Sequence, residues 1–175
     1  NYIHGLKPFS ISIALQKDKE IILGLVNAPG NNEIFKAWQG SPAFLNEKKI
    51  KVSDTADLEE SIIATGFPFK DFERLEPYLK LLSYFMHNSH GLRRFGSAAI
   101  DLCYTACGRF EAFFEYSLEP WDVAAGSFIL KQAGGKVSDF SGGDNYLFNR
   151  EIVAANNYVF DRFLRDIKYY MSKNG

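Results

Sequence analysis

The chain has 175 residues, 46% hydrophobic and 23% charged, with a formal net charge of −1 at pH 7. This composition is that of an ordinary soluble globular protein with room for a sizeable core. The near-neutral charge gives no electrostatic reason to expect nucleic acid or an anionic membrane as partner. No apolar run approaches the roughly 20 residues that cross a bilayer, and no segment has the order of a signal peptide. A cytoplasmic location is expected.

The chain opens Asn1-Tyr2-Ile3-His4 and enters a strand pattern almost at once. Without an initiator methionine or a lead-in, it is expected to be a fragment, a processed product or the ordered part of a longer chain. Phe9, Ile11, Ile13 and Leu15 alternate with Ser10, Ser12, Ala14 and Gln16, so the apolar set is expected to face the core. Lys17 to Glu20 form a polar turn, and Ile21 to Ala28 pair back as a hairpin. Pro29-Gly30-Asn31-Asn32 is a turn. Further short strands are expected over Glu33 to Trp38 and Phe44 to Val52, in an antiparallel meander.

Asp54 to Glu60 is a polar connection, which suggests two domains, 1–56 and 57–175. Beyond it, a strand is predicted at Ser61 to Thr65 and a helix at Glu73 to Met86, with Leu75, Leu79, Leu82 and Phe85 on its apolar stripe. A second helix spans Ser97 to Cys107 and stops at Gly108, and a strand follows over Phe110 to Tyr116. Cys103 and Cys107 are the only cysteines. They stand one helical turn apart in an apolar segment, as buried free thiols.

The next helix opens at Pro120, whose missing amide proton costs nothing there. Trp121, Ala124, Ala125, Phe128 and Ile129 share one stripe, and Gly134 supplies a left-handed stop. Asp122 lies in the first turn, where the helix dipole favours a carboxylate. Strands at Lys136 to Asp139 and Ile152 to Ala155 and a helix over Tyr158 to Met171 complete the chain. This alternation argues for an α/β arrangement with a mostly parallel sheet. His4, His87 and His90 lack the partners of a metal site, and the short lysine runs are interleaved with acids.

Four motifs occur in a telling order: Ala64-Thr65-Gly66-Phe67-Pro68-Phe69, Arg93 through Leu102 (RRFGSAAIDL), Phe114-Glu115, and Pro120-Trp121-Asp122-Val123-Ala124-Ala125-Gly126 followed by Ala133-Gly134-Gly135. Together they resemble the inositol monophosphatase family, in its bacterial branch. The resemblance implies a layered αβαβα sandwich of the inositol monophosphatase/fructose-bisphosphatase type, with the first part of its N-terminal domain missing from this chain. It implies a Mg²⁺-dependent phosphomonoesterase in which metal-activated water attacks the phosphorus of myo-inositol monophosphate or a similar polyol phosphate. Fructose bisphosphate and 3′-phosphonucleotides are alternatives within that class, and a regulatory binding protein of the transcription machinery is an alternative outside it.

By the same resemblance Asp122 is a metal ligand that also faces substrate, and Glu115 accepts hydrogen bonds from sugar hydroxyls. Gly96, Ser97 and Ala98 bring substrate to free amides at a helix start, with Ser97 also an N-cap. Arg93 reaches the active site across a homodimer interface. The sequence departs from the family in lacking two earlier motifs, a helical glutamate and D-P-x-D-G-T-T-N, of which Asn1 resembles the last letter. One carboxylate cannot hold Mg²⁺ against its hydration shell, so these 175 residues alone are expected to be inactive.

Overall fold

A computed structural model describes residues 1–69 and 71–172. The proposed second domain, 57–175, therefore includes Lys70 and residues 173–175, which lie outside the described residues. The first sheet runs in chain order: β1 (Ile11–Lys17), β2 (Glu20–Ala28), β3 (Glu33–Trp38), β4 (Ala43–Leu45) and β5 (Lys48–Ile50), every pair antiparallel. Asp18 and Lys19 both take positive φ, 50° and 68°. A two-residue turn of that hand matches the twist of a hairpin. The single strand expected over 44–52 is instead a second hairpin. Asn46 breaks it at φ 53°, and its Oδ1 accepts the amide of Ile34 at 2.9 Å; asparagine tolerates the left-handed region where most residues do not.

The second sheet contains β6 (Ile62–Thr65), β7 (Gly91–Arg93), β8 (Ala112–Tyr116), β9 (Lys136–Ser138) and β10 (Glu151–Ala155), in the order β7-β6-β8-β10-β9. It is mixed rather than mostly parallel: β6 runs parallel to β7 and β8, while β10 is antiparallel to β8 and β9. The connections explain this. Helices α1 (Leu75–Asn88) and α2 (Ala98–Ala106) are crossovers that keep β6, β7 and β8 parallel. After β8, α3 (Pro120–Gln132) leads to the edge strand β9, and the chain over 139–150 turns back so that β10 fills the gap in the opposite sense.

The layers stack as helix pair, sheet, helix pair, sheet. Helix α4 (Phe160–Met171) joins α1 on one face of the second sheet, burying Tyr78, Phe85, Phe114 and Phe163. On α1 the buried stripe is Tyr78, Leu81, Leu82 and Phe85, while Leu79 faces solvent. Helices α2 and α3 fill the space between the sheets. One continuous cluster runs from Val26 and Phe35 through Leu102 and Ile129 to Phe113 and Ala154.

The alternation along β1 is present, but its faces are reversed. Ile11, Ile13 and Leu15 are 55%, 53% and 52% exposed, and the Ser12/Ala14 side faces inward. Small side chains belong there because α3 lies close. Ala14, Gly24 and Ala37 are register partners across β1, β2 and β3. A Cβ on Gly24 would fall 2.7 Å from the carbonyl oxygen of Ala125. Gly24→Ala should therefore cost about 1–3 kcal/mol through overpacking, read as a lower urea midpoint; an unchanged midpoint would show that α3 can move aside freely.

Candidate active site

Helix α3 starts with Pro120 as its first residue and ends before Gly134, which takes φ +91°. Both features match the signals in the sequence. Asp122 sits in the first turn. Its Oδ2 accepts the amide of Glu119 at 2.9 Å, which fixes the carboxylate, and the residue lines a cavity of about 470 Å³. Trp121, expected on the buried stripe, is 68% exposed and lines the same cavity.

Helix α2 delivers the opposite wall. Gly96 at φ +80° turns the chain, Ser97 takes an extended conformation at φ −148°, and α2 begins at Ala98. The first amides of a helix have no intrahelical acceptor. Ser97 occupies the N-cap position, but its side chain accepts no hydrogen bond from the helix amides; its Oγ lies 3.3 Å from the Oγ of Ser10 on the facing segment. Gly96, Ser97, Ala98 and Ala99 all line the cavity. At its edge Asn1 Nδ2 donates to the carbonyls of Pro8 and Phe95 at 2.5 Å and 2.9 Å, tying the segment before β1 to the approach of α2.

Glu115 projects from β8 into this space, between the buried Phe114 and Tyr116. Burial, reinforced by the nearby Asp122 and opposed by Arg94, pushes its carboxyl up to about 8. The structure thus gathers Gly96, Ser97, Ala98, Glu115 and Asp122 around one cavity. Arg93 stays apart: it is exposed, and its Nη1 donates to the carbonyl of Leu92 at 2.9 Å. Its neighbour Arg94 lines the cavity instead, with its guanidinium 5.4 Å from the centre of the Phe67 ring.

Sequence reasoning also misses Asp101. This residue is fully buried in α2, and neither carboxyl oxygen has a hydrogen-bond partner. Burial, then the charge of Glu115, raise its pKa to about 8 against the opposing pull of Arg94. The available signal is a lone carboxylate in a nine-residue helix whose other members are nearly all apolar and whose every residue is buried. Cys103 and Cys107 are free, as expected, but only Cys103 is buried; Cys107 is half-buried.

Within the described residues no group of three or more His, Cys, Asp or Glu side chains gathers to hold a metal ion. Asp122, with one oxygen unengaged, fits as a single ligand for a hard cation. The described residues do not complete the several oxygen donors that Mg²⁺ takes.

The two raised carboxyls give a pH signature. Well below pH 3.8 the folded and unfolded chains both hold these protons. Between the ordinary values, 3.8 for Asp101 and 4.5 for Glu115, and about 8, the folded chain keeps protons that the unfolded chain releases. Stability should therefore fall as pH rises through that window, by at most about 1.4 kcal/mol per pH unit for each group. Asp101→Asn should flatten the decline in thermal-melt series from pH 4 to 8; an identical slope in the variant would show that Asp101 titrates normally.

The inositol monophosphatase family model matches residues 1–171. The chain is 40% identical over 172 residues to the Nus factor SuhB of Escherichia coli K12, covering 98% of this chain and 64% of that protein. The crystal structure of the extragenic suppressor protein suhB from Bartonella henselae superposes with a TM-score of 0.92 at 39% identity, over 96% of this chain and 64% of that one. An IMPase from Thermotoga maritima superposes at 0.89 with 36% identity, over 100% and 66%. The chain spans less than two thirds of the length of each of these relatives. It belongs to the inositol monophosphatase family. No helix among the described residues is long and apolar enough to cross a membrane.

Proposed function

We propose that this member of the inositol monophosphatase family works as a Mg²⁺-dependent phosphomonoesterase on small polyol phosphates, with myo-inositol monophosphate as the leading substrate. One observation carries the reading: a helix N-terminus, a carboxylate suited to hydroxyl groups and a carboxylate with an unengaged oxygen all face one cavity. The amides at the start of α2 would receive the phosphate, since partial positive charge and unpaired donors coincide there. Glu115 would accept hydrogen bonds from ligand hydroxyls, and Arg94 would offset the negative charge that gathers in the cavity.

Asp122 would contribute one ligand to Mg²⁺, which supplies an activated water and screens the ester's charge when bound. The chain's own residues bind and orient the ester, and no covalent enzyme intermediate is invoked. The reading includes a homodimer, because Arg93 does not line the cavity of its own chain and needs a second copy to reach one. It also includes the division into units at 56/57, on the grounds that the first sheet uses residues 11–50 and the second residues 62–155.

The test is phosphate release by the full-length protein with Mg²⁺ and a panel of myo-inositol 1-phosphate, fructose bisphosphate and a 3′-phosphonucleotide. The inositol ester is expected to lead. Asp122→Asn should lower kcat/KM at least about 100-fold, a loss of ~2.7 kcal/mol of transition-state stabilisation. Full activity in that variant would overturn the assignment.

A second reading, a binding role in the transcription machinery, is favoured by the name Nus factor carried by the E. coli relative. Retention of RNA polymerase by the Asp122→Asn protein, with its cellular role intact, would support that reading over the first.

A further inference from the structure

We propose that Gly66 and Tyr78 form the seat that sets how far Glu115 reaches into the cavity, and so determine which hydroxylated esters the site accepts. The proposal rests on the polyol reading of Glu115 given above. Strands β6 and β8 run parallel with Thr65 opposite Phe114, so the next residues, Gly66 and Glu115, lie side by side. A Cβ on Gly66 would fall 1.9 Å from Glu115 Oε1 and 2.0 Å from its Cδ. Gly66 is not among the glycines with positive φ. The backbone therefore does not call for glycine through a left-handed φ, and what the missing side chain provides is room for a carboxyl group.

Tyr78 keeps that room where it is. The residue is 1% exposed, and its hydroxyl donates to the carbonyl oxygen of Gly66 while lying 3.0 Å from Thr65 Oγ1. Its ring centre stands 5.9 Å from that of Phe114 and 5.6 Å from that of Tyr116, the two residues that flank Glu115. One side chain from α1 thus pins the end of β6 and packs on both neighbours of Glu115. With the Gly66 carbonyl held, a side chain added at 66 meets the free end of Glu115, which is the part able to move. The added methyl should displace the carboxyl group and spare the fold.

The experiment compares Gly66→Ala and Tyr78→Phe in the full-length protein, using myo-inositol 1-phosphate and p-nitrophenyl phosphate, an ester without hydroxyl groups. Gly66→Ala should raise KM for the inositol ester about tenfold, the scale of one well-made hydrogen bond. Its kcat for that ester, both constants for p-nitrophenyl phosphate and the melting temperature should stay near wild type. Tyr78→Phe adds no atom and keeps the ring, so it should give the same split at about threefold. It decides the question if Gly66→Ala does not fold.

Equal losses on both esters, or no change on either, would overturn the proposal. Should the wild-type protein hydrolyse neither ester, the phosphatase reading fails and a crystal structure of Gly66→Ala judges the seat independently. Glu115 displaced over an unmoved β6 supports it; Glu115 in place over a displaced β6 refutes it.

Discussion

Helix α3 can lie this close to the first sheet only because the row beneath it carries nothing larger than a methyl group. Ala14, Gly24 and Ala37 form a row across three strands, and at its centre the helix backbone comes within van der Waals distance of strand backbone. On the other side, a Cβ on Gly126 would come within 2.8 Å of Leu102 Cβ, so α2 is drawn equally close. Close packing of this kind leaves little freedom to slide, since a radial gap of even half an ångström forfeits much of the contact energy. The starts of α2 and α3 are thereby fixed relative to each other, and Ser97 and Asp122 come to line one cavity. The geometry of the site follows from the absence of side chains at two glycines, neither of which lines the cavity.

That rigidity is combined with an electrostatic cost. Asp101 and Glu115 are carboxyl groups in surroundings that disfavour their charge; the charge of Glu115 makes Asp101 harder to ionise, and that of Asp122 does the same to Glu115. Asp101 lacks any hydrogen bond to its carboxyl oxygens that would offset desolvation. A core chosen for stability alone would place an apolar residue at 101, as it does at the neighbouring Ile100 and Leu102. Groups that break a local rule without an evident structural return tend to mark the parts of a protein kept for function. Here Glu115 lines the cavity that gathers the family's motifs, and Asp101 lies within reach of the charges of Glu115 and Arg94, which line it.

The elements are legible in the sequence wherever a chemical stop or start is present. Pro120 and Gly134 bound α3, Ser97 and Gly108 bracket α2, and the alternation in β1 and β2 announces a hairpin. Two features depend on information that periodicity does not contain. An alternating strand says that its two faces differ, and it does not say which face meets the core. On β1 the inward face is the one with small residues, because the partner is a helix at close range. Strand direction in the second sheet is likewise decided by the path between β9 and β10, where the sequence shows only loop chemistry.

The site divides in the same way. Glu115 and Asp122 can be found from the sequence because they stand within motifs whose neighbours identify them. Arg93 and Arg94 are adjacent, and along extended chain successive side chains point to opposite sides. The motif alone therefore does not say which of the two lines the cavity of its own chain; the fold gives that place to Arg94 and leaves Arg93 outside it. Gly66 is harder still. Its motif is visible, but nothing in it says that the missing side chain makes space for a carboxyl group on the adjacent strand. That relation belongs to the pairing of β6 with β8, residues about fifty apart in the chain, and only the folded register brings the bare α-carbon and the acid together.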